Sequence, residues 1–247
     1  MTTTSAPLSL TAFHHLTAVT ANVQENHHFY THTLGLRLVK KTVNQDDTSA
    51  YHLFYADGLA SPGTDITFFD WPVLRERRGT RSIARTGFRV ATEASLAYWA
   101  SRLADQHITA APIATVDGRP TLAFDDPEGQ RLALVVDTAT SPAHPWKRSP
   151  VPAEHQIRGL GPITLSIPEL AGTAAVLTGL MNMTEVRTYT AAASTDGSAT
   201  PAEVHVFEMA RDTGPAAELH VAIEPHLSPP RGGAGGVHHV AFRTPTF

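Results

Sequence analysis

No cysteine occurs anywhere in the 247 residues. That absence removes disulfides, thiolate nucleophiles, iron–sulfur clusters and cysteine-bound zinc. Any metal must therefore be held by histidine, carboxylate or water. Long apolar runs are missing too. None approaches the roughly 18 residues that cross a bilayer, and residues 1–13 lack a basic stretch followed by an apolar block, the mark of a secretory signal. The expected location is the cytoplasm, with no membrane partner. Excess positive charge is also lacking: a formal net charge of −4 leaves no basic footprint for nucleic acid. What is present is a globular composition, 42% hydrophobic and 17% charged, long enough for two small domains or one large one. There are also 14 histidines. Most of them, such as His27, His28, His32, His107 and His144, read as surface or helix residues.

The chain carries a weak internal repeat of strand, helix, then two or three strands. The first unit runs from Phe13 to Trp71, with a helix at Val23–Leu34 stopped by Gly35. Strand-like runs follow at Leu36–Val43, Tyr51–Tyr55 and Asp65–Phe69. The second runs from Thr86 to Asp137, with Leu96, Trp99, Ala100 and Leu103 on one helical face. A stretch rich in proline, Thr138–Glu154, then reads as a linker. The third opens at Ile163–Ile167, with Leu170, Ala174, Leu177 and Met181 at helical spacing. Strands at Glu203–Met209 and Glu218–Ile223 follow. After a Gly/Pro-rich connector, Ser228–Gly236, the chain writes Val237-His238-His239-Val240-Ala241-Phe242, which repeats the opening strand Phe13-His14-His15-Leu16-Thr17-Ala18-Val19.

Both of these strands carry a His pair at the same place, and the opening strands of units two and three carry none. Side chains alternate across a strand, so only one His of each pair can face a shared site. Val240 and Phe242 mark the core face of the last strand, and Leu16 and Ala18 that of the first. His15 and His239 are therefore the candidate metal ligands, with His14 and His238 packing or facing solvent. A lone strand histidine is more often bonded to nearby backbone. Two in matching repeats favour a metal, and the 2-His-1-carboxylate arrangement selects non-haem iron(II).

At these residues the chain resembles the glyoxalase/bleomycin-resistance/extradiol-dioxygenase (vicinal oxygen chelate) superfamily, and more narrowly its branch of ring-cleaving dioxygenases, some acting on hydroquinones. The likeness rests on His14-His15-Leu16-Thr17-Ala18, Phe29-Tyr30, Leu34-Gly35-Leu36-Arg37-Leu38-Val39-Lys40, Thr42-Val43-Asn44, Asp46-Asp47, Tyr51-His52-Leu53, Pro62-Gly63-Thr64, Phe124-Asp125-Asp126-Pro127-Glu128-Gly129 and the final His pair. The resemblance implies an α+β fold of β-α-β-β-β modules paired into U-shaped barrels. One domain is expected at residues 8–140 (modules one and two), a linker at 141–156, and a second domain at 157–247 (module three and the first strand of module four). It implies iron(II), or manganese(II) or another divalent metal, at His15 and His239, with an aromatic substrate and dioxygen as partners. His52 is the candidate acid–base group and Asn44 the candidate for orienting a substrate oxygen, although a turn-forming role suits Asn44 and Asp46-Asp47 better. A homodimer is one assembly the family allows. Glyoxalase-like isomerase or lyase, thiol transferase and non-catalytic sequestration of a small molecule use the same scaffold and stay open.

The pattern departs from the family at the third ligand, a Glu on a closing strand. Ala133 stands where unit two would carry it, and Glu208 and Glu224 read as ordinary strand carboxylates. Module four shows only its first strand, so the expectation is a shortened form of a roughly 300-residue protein, one further module at the repeat spacing. Its open sheet edge would be liable to aggregation or swapping. Two neutral imidazoles without a carboxylate should hold iron(II) weakly: metal analysis after gel filtration is expected to find well under one equivalent, and a full equivalent of tightly held iron would overturn that.

Overall fold

Residues 9–44, 47–139, 142–211 and 213–244 are described by a computed structural model. The first unit comprises β1 (Ala12–Thr20), α1 (Val23–His28) running on as a π-helical turn (Phe29–Thr33), β2 (Arg37–Val43), β3 (Tyr51–Ala56) and β4 (Asp65–Asp70). The second comprises β5 (Ser82–Val90), α2 (Glu93–Asp105), β6 (Ala114–Val116), β7 (Arg119–Asp125) and β8 (Arg131–Val136). The third comprises β9 (Leu160–Ile167), α3 (Ala171–Gly179), β10 (Thr184–Ala191), β11 (Ala202–Glu208) and β12 (Glu218–Ile223), and β13 (Val237–Arg243) follows. Each full unit is thus β-α-β-β-β, in an α+β fold dominated by sheet. β10 lies in a stretch that the sequence leaves unassigned. Its burial alternates between exposed and half-buried, so no apolar face announces it. No helix among the described residues is long and apolar enough to cross a membrane.

Local chemistry sets the helix ends. The Asn22 side chain accepts from Glu25 N at 3.2 Å and donates to Glu25 Oε2 at 2.9 Å, a reciprocal cap on α1. Thr92 Oγ1 accepts from Ser95 N in the same way at α2. The expected helix Val23–Leu34 changes pitch at Phe29, where the buried Phe29 and Tyr30 turn inward. The Arg102 guanidinium then donates to the carbonyls of Thr33 and His32 at 2.9 and 2.6 Å, satisfying free acceptors at the end of that helix.

The sheets pair strands across the expected domain boundary. Strands order as β13-β1-β4-β3-β2 in one sheet and β10-β11-β12-β9-β5-β8-β7-β6 in the other. Unit one therefore pairs with β13, while units two and three share a continuous sheet through antiparallel β5 and β9. The boundary at 141–156 separates sequence segments, not sheets, because each opening strand seeks the opening strand of another unit. The linker is also docked, with Val151 2% exposed. Ser149 Oγ donates to the carbonyl of Gly35, whose φ of +72° ends the first helix. β13 pairs with β1 on one side and is an edge strand on the other.

One buried cluster runs beneath both sheets, from Leu16, Ile66 and Phe68 to Trp99, Leu132, Ile163 and Phe207. Burying each such side chain contributes about 1.5–3 kcal/mol. β5 and β9 approach so closely that a Cβ on Gly87 would lie 2.5 Å from the Pro162 carbonyl oxygen. Gly87→Ala should force the two strands apart and cost about 1–3 kcal/mol. Urea unfolding checks this, and an unchanged midpoint would mean the strands can separate freely.

Candidate metal and substrate site

The antiparallel pairing of β1 and β13 places Thr17 opposite His239 and His15 opposite Ala241. Diagonal neighbours on one face, the His15 and His239 rings lie edge to face with centroids 5.6 Å apart. β4 runs parallel to β1, so Thr67 sits beside Thr17, and the two buried hydroxyls are 2.8 Å apart. Thr17 Oγ1 is 3.0 Å from His239 Nε2, and Thr67 Oγ1 is 2.9 Å from His52 Nε2 on β3. A continuous hydrogen-bonded chain therefore links His239, Thr17, Thr67 and His52.

The first histidine of each pair is not idle. His14 Nδ1 lies 2.9 Å from His15 Nδ1, and His238 Nδ1 lies 2.8 Å from His239 Nδ1, the same contact in both repeats. A second nitrogen fixed in this way sets the tautomer and directs Nε2 toward the site; in His239 that Nε2 is the atom bonded to Thr17, which a ligand would have to replace. Strand parity is the ground for choosing the inner histidines; the contacts of the outer ones lie in rotamers that parity cannot predict.

Crowding keeps these rings neutral. Burial, then His14 and His239, lower the His15 pKa to about 4. Burial, then His15, His239 and Lys40, lower that of His52 to about 4. Burial and His238 lower His239. Neutral imidazoles are the form that binds metal, so His15 and His239 fit two positions around a divalent cation. Among the described residues no carboxylate completes them at close range. Asp65, beside His15 in the β1–β4 register, keeps a buried Oδ1 without a hydrogen-bond partner. Burial and Asp57 raise its pKa to about 6.

Aromatic walls flank the histidines. The His52 ring lies 4.0 Å from Phe54 and 4.5 Å from Phe69, and Phe69 stacks on Trp71 at 4.8 Å. Asn44 is buried just beyond β2, its N–H donating to Ala50 O at 2.8 Å, which closes a turn. Asp47 accepts from Ser49 N in that turn, and Asp46 lies outside the described residues.

A second polar cluster escaped the sequence reading. Asp117, Glu218 and His220 bring ligand atoms within 4.8 Å of one another, the one such group among the described residues. Its carboxylates are already matched. Arg119 grips both Glu218 oxygens at 2.7 and 2.8 Å, and Arg187 reaches Glu218 at 2.8 Å and Asp117 at 2.8 Å. Burial opposes ionisation of Glu218, but hydrogen bonds from His220 and Arg119 and the Arg119 charge hold it well below the usual carboxylate range. A cation there would have to displace two guanidinium groups. Glu218 and His220, two apart on β12, were the available signal. Glu224, read as an ordinary carboxylate, is fully buried and accepts from Ser166 Oγ at 2.5 Å.

Modules of β-α-β-β-β meeting through their opening strands, with facing histidines on one such pair, define a vicinal-oxygen-chelate fold. Residues 12–134 match the Glyoxalase/Bleomycin resistance protein/Dioxygenase superfamily. The chain is 41% identical over 238 residues to the Bacillus subtilis (strain 168) protein named "Putative ring-cleaving dioxygenase MhqA", covering 96% of this chain and 73% of that one. It is 30% identical over 159 residues to the Sphingobium indicum chlorohydroquinone/hydroquinone 1,2-dioxygenase, covering 62% and 49%. A Bacillus subtilis crystal structure described as a "putative dioxygenase" superimposes with a TM-score of 0.79 at 29% identity, over 96% of this chain and 71% of that one. Glyoxalase I from Zea mays, at 13% identity and a TM-score of 0.66, shares the fold. The chain belongs to the glyoxalase/bleomycin-resistance/dioxygenase superfamily.

In metal-free protein the His15 and His52 imidazoles should titrate near pH 4, measured by NMR of their ring protons. The unfolded chain takes up these protons first, near pH 6.5. Both residues therefore contribute a loss of stability that develops as pH falls from about 6.5 to 4. His15→Asn should accordingly gain stability relative to the parent chain on acidification, and ordinary titration of both rings would contradict the geometry.

Proposed function

We propose that this chain is a metal-dependent oxygenase that opens the ring of a dihydroxybenzene, a hydroquinone or catechol. The observation that carries this is the polar chain His239–Thr17–Thr67–His52, with His15 facing His239, set among aromatic walls. The names of the relatives point to the same chemistry. His15 and His239 would hold the metal, iron(II) by donor type with manganese(II) as the alternative. When bound, it supplies Lewis acidity and a meeting place for the diol and dioxygen.

The remaining work falls to the chain itself. His52, kept unprotonated by burial and its neighbours, is placed to accept the phenolic proton at Nε2 in exchange for its bond to Thr67. Thr17 and Thr67 are buried and can each donate or accept, so they can redirect that hydrogen bond without admitting water. Phe54, Phe69 and Trp71 offer flat apolar surface to an aromatic ring. Lys40, whose charge bears on His52, favours a developing phenolate. Asn44, beyond β2, is the group we assign to orient a substrate oxygen.

Oxygen uptake by iron-loaded protein with a panel of hydroquinones and catechols tests the reading. His15→Ala and His239→Ala should abolish uptake, and His52→Gln should lower kcat by about 10²–10⁴-fold with metal retained. No uptake with any member of the panel would defeat the proposal, and a His52→Gln protein at full rate would remove His52 from it.

A further inference from the structure

Where β5 begins, near the approach to β13, three arginines converge on a partly enclosed cavity. Arg78, from the segment after β4, Arg85 on β5 and Arg131 at the start of β8 line it, with Thr195 from the β10–β11 loop and Gly235 from the approach to β13. Arg78 is matched: its Nη2 donates to Asp125 Oδ2 at 2.8 Å and to the Gly129 carbonyl. Arg85 and Arg131 form no ion pair within 4.0 Å among the described residues. Arg131 is 7% exposed, and its Nη1 is buried without any hydrogen-bond partner. Glu76 also lines the cavity; its carboxylate forms no ion pair within 4.0 Å among the described residues, although the charges of Arg78 and Arg131 act on it. Two further carboxylates bear on Arg131: Asp125, which also bears on Arg85 but is paired with Arg78, and Asp196, which is exposed and accepts from Ser198 N.

A buried guanidinium N–H without an acceptor is costly, and more so beside two like charges. The mutual repulsion shows in Arg131, which burial and then Arg78 and Arg85 pull down to about 10. Size selects the occupant. The cavity has about 10 Å³, room for a single water-sized particle, which excludes phosphate, sulfate and any carboxylate ligand.

We propose that this cavity binds one small monovalent anion of halide size, chloride under ordinary conditions, between Arg85 and Arg131. The anion gives Arg131 Nη1 its missing acceptor and offsets the crowded positive charge. Because the lining comes from β5, β8, the β10–β11 loop and the approach to β13, it also ties the two sheets together close to the strand that carries His239.

Thermal unfolding in sodium chloride against sodium gluconate at equal ionic strength tests this, since gluconate is too large to enter. Chloride should raise Tm by a few degrees with a saturable dependence, and Arg131→Met should lose that chloride-specific rise. Equal Tm values in the two salts, or a chloride-specific rise surviving in Arg131→Met, would overturn the proposal. If that variant does not fold, a bromide-soaked crystal of the unaltered chain decides. Anomalous density beside Arg131 Nη1 supports the site, and water there refutes it.

Discussion

The antiparallel pairing of β1 with β13 is the interaction on which the candidate site depends. It joins residues more than two hundred positions apart and closes through Val19 N–Gly236 O and Gly235 N–Val19 O at 3.0 and 2.9 Å. A slip of one residue would turn every side chain of β13 to the other face and carry His239 away from His15. The register is held from two directions. Phe13, Leu16 and Ala18 are fully buried, with Val240 and Phe242 packed on the same core, while Thr17 is committed on its other side to Thr67 and His239.

The second pair of opening strands shows what the same scaffold becomes with different side chains. β5 and β9 meet as β1 and β13 do, but Arg85 and Thr164 are paired there where the first barrel has histidines. Around them Asp117, Glu218, Arg119 and Arg187 satisfy one another. Buried charges that are matched and hydrogen-bonded hold a geometry and leave little for a ligand. The histidine barrel is built the other way: its groups are neutral and hydrogen-bonded in a chain, and each inner ring keeps Nε2 for exchange. Shared architecture thus carries a charge-matched polar cluster on one pair of opening strands and a neutral, hydrogen-bonded one on the other.

The Asp125-Asp126-Pro127-Glu128-Gly129 turn couples these barrels. The Glu128 carboxylate accepts from Thr20 Oγ1 and from Ala21 N at 2.8 Å, fixing the end of β1. Asp126 accepts from Tyr30 Oη at 3.1 Å and from the N–H groups of Glu128 and Gln130. The turn therefore has a mechanical use here. It clamps the strand that bears His15 to the neighbouring module.

Much of the fold was legible in the residues, because period-two and period-3.6 patterns mark β1, α2, β4 and β12, and Gly35 marks the end of the first helix, through local chemistry. Alternation along two short strands was enough to prefer His15 and His239 over their neighbours. What the sequence could not convey was pairing between units. The Pro-rich stretch suggested a break after module two, yet the sheets join units two and three, since strand partners are chosen by long-range packing that no local pattern encodes. The Thr17–Thr67 bridge, the orienting contacts of His14 and His238 and the unmatched Arg131 arise in the same way. The sequence by itself determined which residues line one face of each strand. Only the tertiary structure decided which faces meet, because hydrogen-bond register and side-chain rotamers are settled where elements distant in the chain come into contact.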